Sequence, residues 1–230
     1  MEGDWRMKIE TYPDFDMLTL NVAQRIAGDL NAALLHQDRA LLAVPGGTTP
    51  GPIFDDLCAA DIEWSRVDII LTDERWVPGD HPRSNTKLLK ERLLVNRAAE
   101  ASLLPLHVAT ETPEEGLPKL IPGLEARLPI SVAVLGMGAD MHTASLFPDS
   151  AELTSALAQD APVLIPVRPA SQPEARVTLA AHVLNGALHK HIVFKGKDKR
   201  DALDAALHLP AQKAPIRAVL DGATVHYSES

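Results

Sequence analysis

The sequence is poor in the residues on which several kinds of chemistry depend. It carries one cysteine, Cys58, which excludes an internal disulfide and any multi-cysteine metal site. Cys58 falls among Ile53, Phe54 and Leu57 in a helical pattern and reads as a buried structural thiol rather than a nucleophile. Positive charge is also scarce. Lys and Arg number 22 against 31 Asp and Glu, for a net charge of −9 and a pI of about 5.4. That balance argues against a general nucleic-acid or anionic-membrane binder, because counterion release needs clustered cations. An anionic small substrate would require a local basic pocket set against the global field. No stretch approaches the roughly 20 apolar residues of a membrane span. The opening MEGDWRMKIETY lacks the basic start and apolar run of a signal peptide. A cytoplasmic protein is expected.

Several chemical motifs are missing too. The nine histidines include no His-Glu-x-x-His, and His189 and His191 share a strand face only as a chance pair flanking Lys190. No metal site is expected from this spacing. There is no Gly-x-Ser-x-Gly elbow for serine-hydrolase chemistry and no Gly-Lys-Ser/Thr of a Walker loop. Gly136-x-Gly138 follows a strand, but the sixth position of the dinucleotide fingerprint is Met141 rather than glycine.

What is present is a chain with 46% hydrophobic residues, enough for a sizeable core. Leu18, Val22, Ile26, Leu30 and Leu34 recur every fourth residue and predict a helix over 15–36, capped by Asp14 or Asp16. Residues 40–44, 67–71, 163–167 and 191–194 read as short buried strands. Helices are expected through Ile53–Leu57, after Ser84, through Val183–Leu188 and over 202–207. Residues 195–200 read as a basic turn, and 216–220 and 224–227 as closing strands. Pro113, Pro118, Pro122 and Pro129 predict nothing longer than short turns over 105–129. The alternation implies an α/β fold, Rossmann-like, with a mostly parallel sheet covered by helices on both faces. No repeat or linker is visible, so residues 1–230 are taken as one domain.

The chemistry concentrates at strand ends. Val132–Leu135 runs into Gly136-Met137-Gly138, then Asp140 and His142. A neutral imidazole there can take a proton from water and return it to a leaving oxygen, with either Asp140 or Asp73 to orient the ring. Pro45-Gly46-Gly47-Thr48-Thr49-Pro50 between a strand and a helix is a plausible anion cradle, or an ordinary turn. Thr72-Asp73-Glu74-Arg75 closes another strand with three charges, which must pair, bind a ligand or remain in water.

These residues carry a resemblance. Leu135-Gly-Met-Gly-Ala-Asp-Met-His-Thr-Ala-Ser-Leu-Phe-Pro148 resembles the signature of the 6-phosphogluconolactonases. Val44–Pro50, Thr72–Pro78 with Ser84-Asn85, Arg176–Leu179 and Gly196–Arg200 are similar to their other motifs, in the same order. The resemblance implies hydrolysis of 6-phospho-D-glucono-1,5-lactone without metal or cofactor. It implies His142 as general base and Arg75 near the developing oxyanion. Gly46, Gly47, Thr48, Arg176 and Lys199 would hold the phosphate, with Asp73 and Asp140 in support. The implied partner is a small sugar phosphate, with no nucleic acid and no membrane, on a monomer or weak homo-oligomer. Glucosamine-6-phosphate deaminases have a similar loop, but a glutamate follows their histidine where this chain has Ser145, Leu146 and Phe147. A non-catalytic sugar-phosphate binder is the other alternative. The chain departs from the lactonase pattern at Met141, where glycine is usual. Met141 is expected to adopt an ordinary negative φ or to tolerate strain of about 1–2 kcal/mol. Pro45 replaces a serine of the first loop, Ser131 replaces a frequent aspartate, and Val225–Ser230 lacks the usual tryptophan and aspartate.

Overall fold

Short Val-, Leu- and Ile-rich runs alternate with amphipathic segments along the chain, and the sheet they build is parallel throughout. The structure, a computed structural model, describes residues 7–230. Of the N-terminal stretch read for a targeting signal, residues 1–6 lie outside the described part. The main sheet takes β1 (Lys8–Tyr12), β2 (Ala40–Val44), β3 (Val67–Leu71), β5 (Ser102–Leu104), β6 (Val132–Gly136), β9 (His189–Lys195) and β10 (Thr224–Ser228). Their order is β1-β10-β9-β6-β2-β3-β5. Every residue of β2 and β3 is buried, as expected of strands covered on both faces. Chain order runs outward from β2 through β3 to β5 on one side, and from β6 through β9 to β10 on the other. The winding therefore reverses between β2 and β6. Loops leaving the C-terminal ends of two such strands diverge and leave a crevice between them. Ser131 sits at that seam, accepting from the Leu41 N–H at 3.1 Å and donating to Gln37 at 3.0 Å. It locks β6 to β2 and takes no part in chemistry.

A second, antiparallel sheet takes β4 (Asp73–Arg75), β8 (Arg176–Leu179) and β7 (Leu164–Val167), in that order; of these only β7, read as 163–167, was expected, and it was expected in the main sheet. β4 spans three residues, too few for a period-two pattern. Helix α1 (Phe15–Leu34) is capped by Asp14, which accepts from the Met17 N–H at 2.8 Å. Its Leu18, Val22, Ile26 and Leu30 are wholly buried. The remaining helices are α2 (Gly51–Leu57), α3 (Asn85–Arg92), α4 (Pro113–Glu125), α5 (Leu153–Ala156), α6 (Ala181–Asn185) and α7 (Lys197–Ala206). Cys58 is buried just beyond α2, its thiol against the Asp55 carbonyl. No helix of the described residues is long and apolar enough to cross a membrane.

Three expectations are corrected. Residues 113–125 form a helix rather than short turns, with Pro118 and Pro122 inside it. Pro113 occupies the first turn, where the missing N–H costs nothing. Pro118 and Pro122 are exposed, so water can satisfy the carbonyls their rings leave without partners. The inner face of Gly116, Leu117, Leu120 and Leu124 is buried at helical spacing, and that burial outweighs the two lost bonds. Residues 215–219 are a 3₁₀ turn instead of a strand. The expected basic turn is already helical from Lys197, after Gly196 at φ +95°.

If solvent exposure is what makes α4 tolerate its prolines, restoring one donor should stabilise the fold. Pro122→Ala is expected to raise unfolding free energy by about 1–2 kcal/mol, since proline costs about 3 kcal/mol in a helix interior and gives part of this back by restricting the unfolded chain. Thermal denaturation should show a rise of roughly 3–6 °C. An unchanged or lowered midpoint would contradict this account of the helix.

Candidate active site

The cavity lies at the reversal point of the sheet. It measures about 270 Å³ and is lined by the loop after β2, by Asp73 and Arg75 of β4, by β6 and the loop after it, by Arg176 at the start of β8, and by β9 and Lys199 beyond it. That volume suits a small sugar-sized ligand.

After β2, the chain turns through Gly46 and Gly47, the latter at φ +88°, a conformation glycine adopts at little cost. A Cβ at Gly46 would collide with the carboxamide of Asn85. The absent side chain is what lets this loop close down on α3. Pro50 precedes α2 without a side-chain cap, and α2 is only seven residues long. The expected anion cradle therefore rests on the Gly46–Thr49 loop rather than on a long helix dipole.

After β3, the three charged residues divide their tasks instead of forming a solvated turn. Glu74 is fully buried. It accepts from the N–H groups of Arg75 (2.8 Å), Asn85 (2.8 Å) and Thr86 (2.7 Å) and from the Ser84 hydroxyl (2.9 Å), so it anchors the first turn of α3. Asp73 accepts from the Ser145 hydroxyl at 2.5 Å and lies 3.5 Å from the Arg176 guanidinium. Arg75 donates to the Arg83 carbonyl at 2.6 Å. Burial, opposed by the charge of Asp73, pushes Arg176 below the ordinary arginine value. The guanidinium also donates to Gln172 at 2.7 Å and lies over the Phe147 ring. The Nε atoms of both Arg75 and Arg176 are buried without a hydrogen-bond partner. Buried donors without partners are costly, and both belong to cations that line the cavity.

After β6, the chain folds back tightly. Gly138 N–H donates to the His142 carbonyl and Met141 N–H to the Gly138 carbonyl, both at 3.0 Å. A Cβ on Gly138 would strike the His142 ring and the Asp140 carboxylate, so glycine is required for that pair to form. His142 Nδ1 lies 2.5 Å from Asp140 Oδ1. The His142 ring stacks on Phe147 with centroids 4.3 Å apart. A carboxylate at Nδ1 requires the N–H there, which leaves the lone pair on Nε2. Despite the cost of its burial, the hydrogen bond and charge of His142 hold the Asp140 carboxyl below its ordinary value. Of the two carboxylates considered for orienting His142, Asp140 makes the contact. Asp73 serves Ser145 and Arg176 instead.

Met141 lies at φ +67°, so of the two expected alternatives the ordinary negative φ fails and the strained backbone is the one adopted. Its neighbours impose the conformation: Asp140 and His142 must both turn back over Gly138. The left-handed backbone costs methionine about 1–2 kcal/mol. Partial compensation comes from the Ile216 N–H, which donates to the Met141 carbonyl at 2.9 Å, and from packing of the side chain against the core.

Gly46, Gly47, Thr48, Asp73, Arg75, His142, Arg176 and Lys199 all line the cavity, while Asp140 reaches it through His142. The cations around α7 are sorted by their partners. Lys195 lies over Phe15, Lys197 pairs with Asp201 and Arg200 with Asp204. Lys199 has no hydrogen-bond or ion-pair partner among the described residues and lines the cavity. Sequence reasoning missed Asn85 and Ser145 as parts of the site. Ser84-Asn85 stood in a recognised motif, but only the backbone path from Glu74 reveals that Asn85 covers Gly46.

The glucosamine-6-phosphate isomerase/6-phosphogluconolactonase model matches residues 13–227. A 6-phosphogluconolactonase of Mesorhizobium japonicum is 42% identical over 217 residues, covering 92% of this chain and 90% of its own. One from Pseudomonas aeruginosa is 39% identical, covering 90% and 88%. The crystal structure of a 6-phosphogluconolactonase from Shewanella baltica superposes with a TM-score of 0.94 at 34% identity, covering 99% of both chains. A monomeric glucosamine-6-phosphate deaminase shares the fold, with a TM-score of 0.76 at 15% identity. The chain thus belongs to the glucosamine-6-phosphate isomerase/6-phosphogluconolactonase family.

Proposed function

We propose that this cavity is the active site of a 6-phosphogluconolactonase, hydrolysing 6-phospho-D-glucono-1,5-lactone to 6-phospho-D-gluconate with His142 as general base. The observation that carries the reading is the pairing, in one cavity, of a His142 ring whose Nε2 has no partner with a Lys199 ammonium that has none either among the described residues. Nε2 takes a proton from water as its oxygen attacks C1 of the lactone. The tetrahedral oxyanion is stabilised by the Arg75 guanidinium. The C1–ring oxygen bond then breaks, and the imidazolium returns its proton to the departing oxygen. Asp140 keeps Nδ1–H in place and favours the transient imidazolium. Gly46, Gly47 and Thr48 with Lys199 and Arg176 hold the phosphate, and Asp73 supports Arg176. These cations supply the local basic pocket that an acidic chain requires for an anionic substrate. The charged substrate does not cross a lipid bilayer unaided, so the reaction belongs in the compartment where the lactone is formed, which we take to be the cytoplasm.

Lactone hydrolysis is best followed at low temperature with the spontaneous rate subtracted. His142→Ala is expected to lower kcat by about 10²–10⁴, the usual contribution of a general base, while binding of 6-phosphogluconate persists. A variant as active as wild type would remove His142 from this role, and wild-type binding without turnover would mark a sugar-phosphate binder.

Asp140→Asn should lower kcat with little change in KM, because it keeps the shape and loses the charge. Lys199→Ala should do the converse, raising KM by roughly 10- to 100-fold through loss of a charge-assisted contact. Equal effects of both variants on KM and kcat would reject the separation of a reacting end from a phosphate end.

A further inference from the structure

Outside the cavity, a row of titratable side chains runs through the edge of the main sheet. Asp29 Oδ2, on α1, lies 2.8 Å from His191 Nε2, on β9. His191 Nδ1 lies 3.0 Å from His226 Nε2, on β10. His226 Nδ1 lies 2.9 Å from the Tyr12 hydroxyl, on β1, which lies 2.9 Å from Glu10 Oε2. His191 is 4% exposed and His226 0%, so the contact between the two rings is closed to water, while Tyr12 and Glu10 at one end are half-buried.

The protons in this row can be counted. Both ends are acceptors. Despite the cost of burial, hydrogen bonds from Lys8 and Tyr12 and the charge of Arg25 hold the Glu10 carboxyl below its ordinary value. Despite its own burial, the His191 hydrogen bond with the charge of His189 does the same for Asp29. Tyr12 keeps its proton, its pKa pushed up to about 12 by burial and by Glu10. The contacts Asp29–His191, His191–His226, His226–Tyr12 and Tyr12–Glu10 need one proton each. A neutral His191, a neutral His226 and Tyr12 supply one each, which leaves the row one short. If Tyr12 donates to His226, its oxygen faces the Glu10 carboxylate with no proton between. If Tyr12 donates to Glu10, the chain of donors reverses and the lone pair of His191 Nε2 faces Asp29.

We propose that the row is a built binding site for one additional proton, carried by His191 as an imidazolium that donates to both Asp29 and His226. His226 then donates to Tyr12 and Tyr12 to Glu10, so every contact is made. His191 is the better carrier because it touches a carboxylate directly. The Glu10 carboxylate stands 3.9 Å from His226, and burial, with the charges of His191 and Arg25, pushes His226 down to about 3. The groups facing the two rings are Asp29 and Arg25 from α1, Lys8, Glu10 and Tyr12 from β1, and His189 from β9, whose Nδ1 is 3.7 Å from Asp29. Together they tie the edge strand β1 to β10, β9 and α1. Loss of the proton leaves one contact unmade, either Tyr12–Glu10 within β1 or His191–Asp29, which ties β9 to α1. The sign follows from linkage: a proton bound only in the folded state stabilises at low pH, and that stability is lost as pH rises through the folded titration.

Ring-nitrogen NMR of the histidines in the full-length protein, titrated from pH 5 to 9, tests this directly. At pH 6, His191 should be protonated on both nitrogens and His226 neutral with its proton on Nδ1. Glu10→Gln places an amide donor opposite Tyr12 without changing side-chain length, so neutral rings then suffice. In that variant the His191 midpoint should fall by roughly one pH unit or more, and His226 should carry its proton on Nε2. A singly protonated His191 in the wild type at pH 6, or a midpoint unmoved in E10Q, would overturn the proposal.

Discussion

The reversal of strand order between β2 and β6 governs the site. Parallel strands bury both faces and leave only their ends for chemistry. At the reversal, the Pro45–Pro50 loop departs to one side and the Gly136–His142 loop to the other. Each loop needs glycine where the other parts of the site press in. Gly46 yields to Asn85, and Gly138 yields to the Asp140–His142 pair. The crevice is a consequence of topology, and the two glycines keep it from being filled by side chains.

Electrostatics within the crevice run against the chain as a whole. A net charge of −9 would repel a phosphate, yet Arg75, Arg176 and Lys199 converge on the cavity wall. Their carboxylate neighbours are arranged so as not to cancel them. Glu74 is saturated by backbone N–H groups and the Ser84 hydroxyl, and Asp140 is engaged by His142. Asp73 alone pairs with a cation of the wall, at 3.5 Å, and its closest contact is the Ser145 hydroxyl. The Nε groups of Arg75 and Arg176 are buried without partners among the described residues, so these two cations are not neutralised by the wall around them. Strain at Met141 belongs to the same economy. A left-handed methionine is tolerated because the surrounding hydrogen bonds and packing over-determine the loop.

Much of this architecture is legible in the chain. The four-residue spacing from Leu18 to Leu34 defines α1, and short aliphatic runs mark β2, β3, β6 and β9, because burial of one helix stripe or of whole strands leaves a periodic imprint. The residue types of the site are legible too, since glycine loops, an Asp-x-His pair and a cluster of cations stand at strand ends. Where local rules were read alone they failed. Pro118 and Pro122 argue against a helix, but the fold turns them to solvent and buries the opposite face of α4. Asp73–Arg75 is too short to announce a strand and becomes one only through pairing with Arg176–Thr178.

The order of residues along the chain therefore determined most of the elements, the family and the kinds of group available for catalysis. It did not determine which carboxylate holds His142, since Asp73 and Asp140 are equivalent as letters. Nor did it determine which of the cations near α7 is free, or that His191 and His226 meet. Those outcomes depend on distances between segments far apart in sequence, because hydrogen bonds and ion pairs act over a few ångströms and only the packed sheet brings their partners within reach.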